Sequence, residues 1–161
     1  MNYPKEIMKN RINKEGLLLG DLFNDILLVK EYKMNEDMFV SEKGKFYFTI
    51  IHCLIRKDIY KVTDADIKLS ITDDMLKTYE NLGGFATIKK LMKISNGENF
   101  DSHLDDVLKG NVLMSFVDDG LDLTNTIEIK NKKGKTIEKT YLEIFEAMNC
   151  EQVLSFMQTR I

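Results

Sequence analysis

At 161 residues the chain has room for one ordinary domain, or for a compact unit with an appendage. A composition of 43% hydrophobic and 30% charged residues is that of a folded globular chain and excludes a disordered one. With 26 acidic against 23 basic residues, a net charge of −3 and a pI near 5.5, strong gripping of a nucleic-acid backbone by the whole chain is not expected.

No apolar run reaches the roughly 18 residues of a bilayer span, and residues 1–11 lack the apolar core of a secretory signal. Cys53 and Cys150 lie in apolar helical patterns without paired spacing. That placement predicts buried free thiols and a reducing, cytoplasmic compartment. The single proline, Pro4, stands outside every periodic segment, so long helices are permitted.

The first periodic segment runs from about Lys14 to Tyr32. Leu18, Leu19, Leu22, Phe23, Ile26, Leu27 and Val29 recur at helical spacing, with Asp21, Asn24, Asp25 and Lys30 between them. Gly20, costly inside a helix, marks close packing against a neighbouring element. Met38, Phe39 and Val40 form a short apolar plug. Ser41 caps a second helix reaching about Lys57, the most apolar of the chain and therefore expected at the centre of the core.

Thr63 opens a short helix through Leu69, and Thr72 with Asp73 and Asp74 opens another from Met75 to Leu82. Gly83 and Gly84 stop it. Phe85 to Ile94 follows with Ile88, Leu91 and Met92 as its buried stripe, ending in a turn at 95–97. A boundary is placed here, dividing a helical globule (1–97) from a helical hairpin (98–161).

From Asn99 the apolar stripe Phe100, Leu104, Val107, Leu108, Val112, Phe116 and Val117 covers about five turns. Tyr141, Ile144, Phe145, Met148, Val153, Phe156 and Met157 predict a second long amphipathic helix. Between them 126–130 and 135–139 alternate around Asn131 and Gly134, which suits either a small β-hairpin or a flexible loop. The fold class expected is all-α: a globular bundle of five or six short helices, then a long αα-hairpin with a possible β-hairpin at its tip.

Signatures of chemistry are missing. The chain has no phosphate-cradling GxxxxGK[ST], no CxxC, no HExxH and no GxSxG. His52 and His103 read as packed or surface histidines rather than bases or ligands. The acidic pairs 73/74, 105/106 and 118/119 read as solvated surface, because adjacent helical residues diverge by about a hundred degrees. The lysine-rich stretch 130–139 could meet nucleic acid or an acidic partner, but it lacks the interleaved aromatics of a stacking platform. A solvated loop is the plainer reading. No catalytic, cofactor-binding or metal residue is expected.

The order of these elements resembles the N-terminal domain of replicative DNA helicases of the DnaB family. Glu15-Gly-Leu-Leu-Leu-Gly20-Asp-Leu-Phe-Asn-Asp25 is similar to that family's opening helix, and Asp37-Met-Phe39 to its acidic-aromatic segment. Asp64 to Ile67, Leu82-Gly-Gly-Phe85 with Ile88 and Leu91, and Asn99 through Leu113 resemble the elements that follow. The stretch at 44–48 resembles the divergent helicases of bacteriophages and mobile elements. Two features depart from the family pattern: Gly44 and Lys45 stand where a histidine is usual, and the insertion around 121–140 is longer.

The resemblance implies a scaffold that pairs through its helical hairpin into a ring collar and docks primase or a helicase loader within a primosome. ATP and magnesium would belong to a motor domain beyond Ile161, which this chain does not include. Leu104, Val107, Leu108, Phe116, Phe145, Met148 and Phe156 are the residues expected to carry self-association or its supporting core. The competing expectation is a stand-alone regulator that mimics such a domain and binds a host replication protein.

Overall fold

Residues 5–95 and 97–159 are described by a computed structural model. Pro4 and Asn96, the latter the middle of the expected turn at 95–97, lie outside them. The chain separates into two compact units, one made of 9–107 and the other of the described residues of 1–8 and 108–161. The division falls inside helices α1 (Lys5–Asn24) and α7 (Phe100–Asp118).

Helix α1 starts well before the apolar periodicity does. Ile7, Arg11, Glu15, Leu18 and Leu22 share one face at helical spacing, and all are buried. Two of the five are charged, which hides the first turns from a hydrophobic pattern. Arg11 pairs with Glu15 one turn later at 3.3 Å and donates to the Met38 carbonyl. Glu15 in turn accepts from the Val40 and Ser41 backbone N–H groups and, at 2.7 Å, from the Ser41 hydroxyl.

The Ser41 oxygen accepts the Gly44 N–H at 2.9 Å as the cap of α3 (Glu42–Arg56). A buried ion pair thus holds the entry to the most apolar helix. Burial pushes the Arg11 guanidinium below its ordinary range, and the Glu15 charge opposes that shift. A Cβ at Gly44 would lie 2.9 Å from the Ser41 hydroxyl and 3.1 Å from Glu15, so only glycine leaves space for this cap.

The expected helix 14–32 is divided. After Asn24 the chain tightens into shorter-range bonds, Leu28 N–H to Asp25 O and Val29 N–H to Ile26 O, before α2 (Leu27–Glu31). Ile26 within this break and Val29 after it are both buried. Helix α3 supplies Tyr47, Phe48, Ile50, Ile51 and Leu54 to the core, as its composition implies. His52 packs edge-on against Phe48 with ring centres 4.7 Å apart. Neither Cys53 nor Cys150 is in a disulfide, and both are only half-buried, short of the full burial expected.

Helices α4 (Asp64–Ser70), α5 (Asp73–Asn81) and α6 (Phe85–Ile94) follow with the expected caps. Thr63 accepts from Asp66 N–H and Thr72 from Met75 N–H. Gly83 and Gly84 take φ of 106° and 60° between α5 and α6, a conformation that glycine reaches without strain. The buried Tyr79 hydroxyl donates to Asp64 at 2.7 Å, tying α5 to α4. At Gly20 a Cβ would come within 2.2 Å of the Leu91 carbonyl oxygen and 2.9 Å of the Ser95 Cβ, so α1 and α6 touch backbone to backbone there.

In the second unit α7 is followed by strands β1 (Thr126–Lys130) and β2 (Thr136–Thr140), an antiparallel pair in which Ile129 faces Ile137 and Lys130 faces Thr136. Asn131 closes the turn by accepting the Lys133 and Lys135 N–H groups, and Gly134 takes φ of 75°. Of the two readings left open for 126–139, the β-hairpin is the one that forms.

The second long helix expected over 141–157 is instead α8 (Tyr141–Glu146) and α9 (Cys150–Gln158). Thr140 with Glu143 and Asn149 with Gln152 each form a complete capping box, so the sequence starts a helix twice where hydrophobic periodicity reads one. The described structure is mostly helical with this small antiparallel sheet.

Replacing Gly20 by alanine forces a Cβ against backbone that cannot step aside. The expected loss is about 1–3 kcal/mol, read as a lower urea midpoint at unchanged slope. A second outcome concerns pH. The Tyr79 hydrogen bond, with help from Lys68, holds the Asp64 carboxyl below its ordinary range. Its contribution is therefore present above the usual carboxylate range and lost as pH falls through the depressed value. Tyr79→Phe should cost about 1 kcal/mol at neutral pH. The difference from the parent chain should shrink in acid; a constant difference across the acid limb would refute the linkage.

Candidate functional site

The seven residues singled out for self-association divide between the two units. Leu104 is half-buried and Val107 fully buried, and both pack with the core of 9–107. Leu108, Phe116, Phe145, Met148 and Phe156 belong to the other unit. There the structure brings three of them together: Phe145 is fully buried, its ring centre 6.2 Å from Phe116 and 5.8 Å from Phe156. Tyr141 stands at 5.8 Å on the same ring. Lys109 donates to the Met148 carbonyl at 2.7 Å, in the connection between α8 and α9.

The same unit also leaves apolar side chains open to solvent. Leu108 is 38% exposed and Leu154 is 42% exposed, while Phe116, Met148 and Phe156 are half-buried. On α7, Leu108, Val112 and Phe116 recur every four residues and so run along one stripe. The arrangement offers contact area and aromatic anchors, the chemistry of a binding surface.

Five large apolar residues of the 9–107 unit are more exposed than Leu108 and Leu154, Leu69 at 76% and Ile94 at 68% most of all. Neither of these two was picked out from the sequence. The signal was angular, since Leu69 is two residues from the buried Ile67 and Ile94 six from the buried Ile88, each turned well away from its helix's inward stripe.

A polar cluster also went unread. Asp21 is fully buried on α1, yet its spacing resembles that of a solvated interruption. One carboxylate oxygen accepts the Ser95 hydroxyl and, at 3.0 Å, the Gly97 N–H; the other lies 2.6 Å from His103 Nδ1. Asn24, one turn on, donates to the carbonyls of Gly20, Met92 and Ser95. The α6 end and the first turn of α7 are thereby fastened to α1.

Aspartate, histidine and serine in one cluster invite comparison with a nucleophilic triad, but the wiring differs. In a triad the imidazole takes the serine proton at its far nitrogen while the carboxylate holds the near one. Here the Ser95 hydroxyl is directed at the carboxylate, and the same Nδ1 that meets Asp21 is the ring atom nearest Ser95, at 3.4 Å. Ser95 is also buried. The arrangement locks a turn and does not activate an oxygen.

No family model, curated protein or solved structure matches the chain. The likeness to helicase N-terminal domains therefore rests on the sequence elements alone. Among the described residues no group of three or more His, Cys, Asp or Glu could hold a metal ion, and no helix is long and apolar enough to cross a membrane.

Asp21→Asn presents an amide nitrogen to donors that need an acceptor. An expected loss of about 1–3 kcal/mol in unfolding free energy follows, measured by denaturant titration. A midpoint unchanged from the parent would show that the cluster adds nothing to stability.

Proposed function

We propose that the chain is a helical protein–protein interaction module of the kind that opens DnaB-type replicative helicases. In this reading it works in the cytoplasm, self-associates through residues 98–161 and presents a docking surface to primase or a helicase loader. Helix α7 is one arm of the family's hairpin, and α8 with α9 is the other. The chain needs no cofactor for this role and catalyses no reaction itself. Nucleotide hydrolysis would belong to a separate motor domain.

The observation that carries the reading is a fixed aromatic centre in a unit that also leaves leucines open to solvent. Phe145 anchors the arms, while Leu108 and Leu154 remain open to solvent. Apolar area beside half-buried aromatics is what an isologous contact between two copies requires. The missing catalytic signatures in the sequence are consistent with a scaffold role.

Light scattering over a rising concentration series should reveal a dimer or larger species. Leu108→Glu with Leu154→Glu should shift that equilibrium toward monomer by tenfold or more, about 1.4 kcal/mol. Because both side chains are exposed, the thermal midpoint of the monomer should be retained. A parent chain that stays monomeric at high concentration would overturn self-association, and ATP hydrolysis by the isolated chain would overturn the scaffold role.

A further inference from the structure

The hairpin β1–β2 ends in a turn crowded with lysines. Residues 126–140 contain five lysines and two glutamates, whereas the whole chain carries a net −3. Lys130, Lys132, Lys133, Lys135 and Lys139 are all exposed, and none enters an ion pair among the described residues.

The register distributes these charges around the ribbon. Cross-strand partners share a face, so Lys139 lies with Ile127, Ile129 and Ile137 on one side, and Lys130 lies with Thr136 on the other. Lys132, Lys133 and Lys135 surround the turn that Asn131 holds in shape. Lys130, Lys132, Lys133 and Lys135 thus gather at the turn, whereas Lys139 stands opposite Ile127, farther from the turn than the opposed Glu128 and Glu138.

We infer that the tip of this hairpin binds the phosphate backbone of duplex DNA, entering the major groove without reading sequence. A two-stranded ribbon fits the B-form major groove, about 12 Å wide and 8.5 Å deep, whereas the A-form groove of RNA is too deep and narrow to admit one. The turn lacks arginine and aromatic side chains, the usual anchors of a protein interface, where lysine is depleted. Lysine acts on phosphate as a point charge, which gives affinity without base recognition. Glu128 and Glu138, opposed one step behind Lys130, limit entry to the tip. The contact is accordingly weak and sensitive to salt. It stands on the charge distribution of the hairpin and is independent of the helicase-scaffold reading.

The test is fluorescence anisotropy of a labelled duplex of roughly 20 base pairs titrated with the whole chain, from about 50 to 200 mM salt. Lys132→Gln, Lys133→Gln and Lys135→Gln together should weaken binding at low salt by roughly tenfold and flatten the salt slope by about two to three. The same number of charges removed from α6, by Lys89→Gln, Lys90→Gln and Lys93→Gln, should leave both unchanged. Lysine-to-arginine replacements at the tip should retain binding, and far-UV circular dichroism should be the same for all four chains. Absence of duplex binding by the parent at low salt would overturn the inference. So would equal losses in the tip and α6 variants, preference for single-stranded DNA, or preference for phosphatidylserine vesicles over duplex.

Discussion

Helix α1 carries two carboxylates into an apolar interior, and the unit 9–107 is arranged so that neither is left without partners. An unpaired buried charge costs several kcal/mol, so each must be met by specific donors in specific places. Glu15 gathers the backbone N–H groups of Val40 and Ser41 and, through the Ser41 hydroxyl, the first turn of α3. Asp21 gathers Ser95, Gly97 and His103. Apolar packing alone tolerates sliding of one helix on another; directional acceptors at two levels of α1 do not. Gly20, where α1 meets the Leu91 carbonyl, makes the same point sterically.

This division of labour explains which parts of the fold can be read from the chain. Where a local signal is complete, the element forms as expected: Ser41, Thr63 and Thr72 cap helices, and Gly83 and Gly84 separate α5 from α6, whereas the alternation around Asn131 was compatible with a loop as well as with the hairpin that forms. The early start of α1 is obscured because Arg11 and Glu15 occupy positions that a hydrophobic pattern assigns to leucine or isoleucine. Asp21 is obscured for the same reason, since its partners lie more than seventy residues away. The split between α8 and α9 was in principle legible. Asn149 followed by Gln152 is a helix start, and apolar periodicity continuing across it masks the restart.

The seven residues chosen for association show a related limit. Periodicity finds the inward stripe of a helix but does not distinguish a side chain that is covered from one that waits for a cover. Val107 and Phe145 prove to be interior, whereas Leu108 is open. The surface proposed within 98–161 is therefore carried by its open side chains and not by the buried aromatic centre. Its charged counterpart, the lysine-rich ribbon, is chemically separate from it: one surface offers area for a partner protein and the other offers charge.

The Asp21 cluster also bears on how the chain reaches its fold. The capping boxes at Thr140 and Asn149 join residues three apart and close at little entropic expense, so they can form while most of the chain is open. Asp21 joins residues 74, 76 and 82 positions away. A contact of that span is rewarded only after the intervening helices have gathered, which places it late on the folding route and makes it an all-or-none event. The Gly97 amide, held by that carboxylate, is accordingly a reporter of global opening. Its hydrogen exchange should follow the whole unit 9–107 rather than the fraying of one turn.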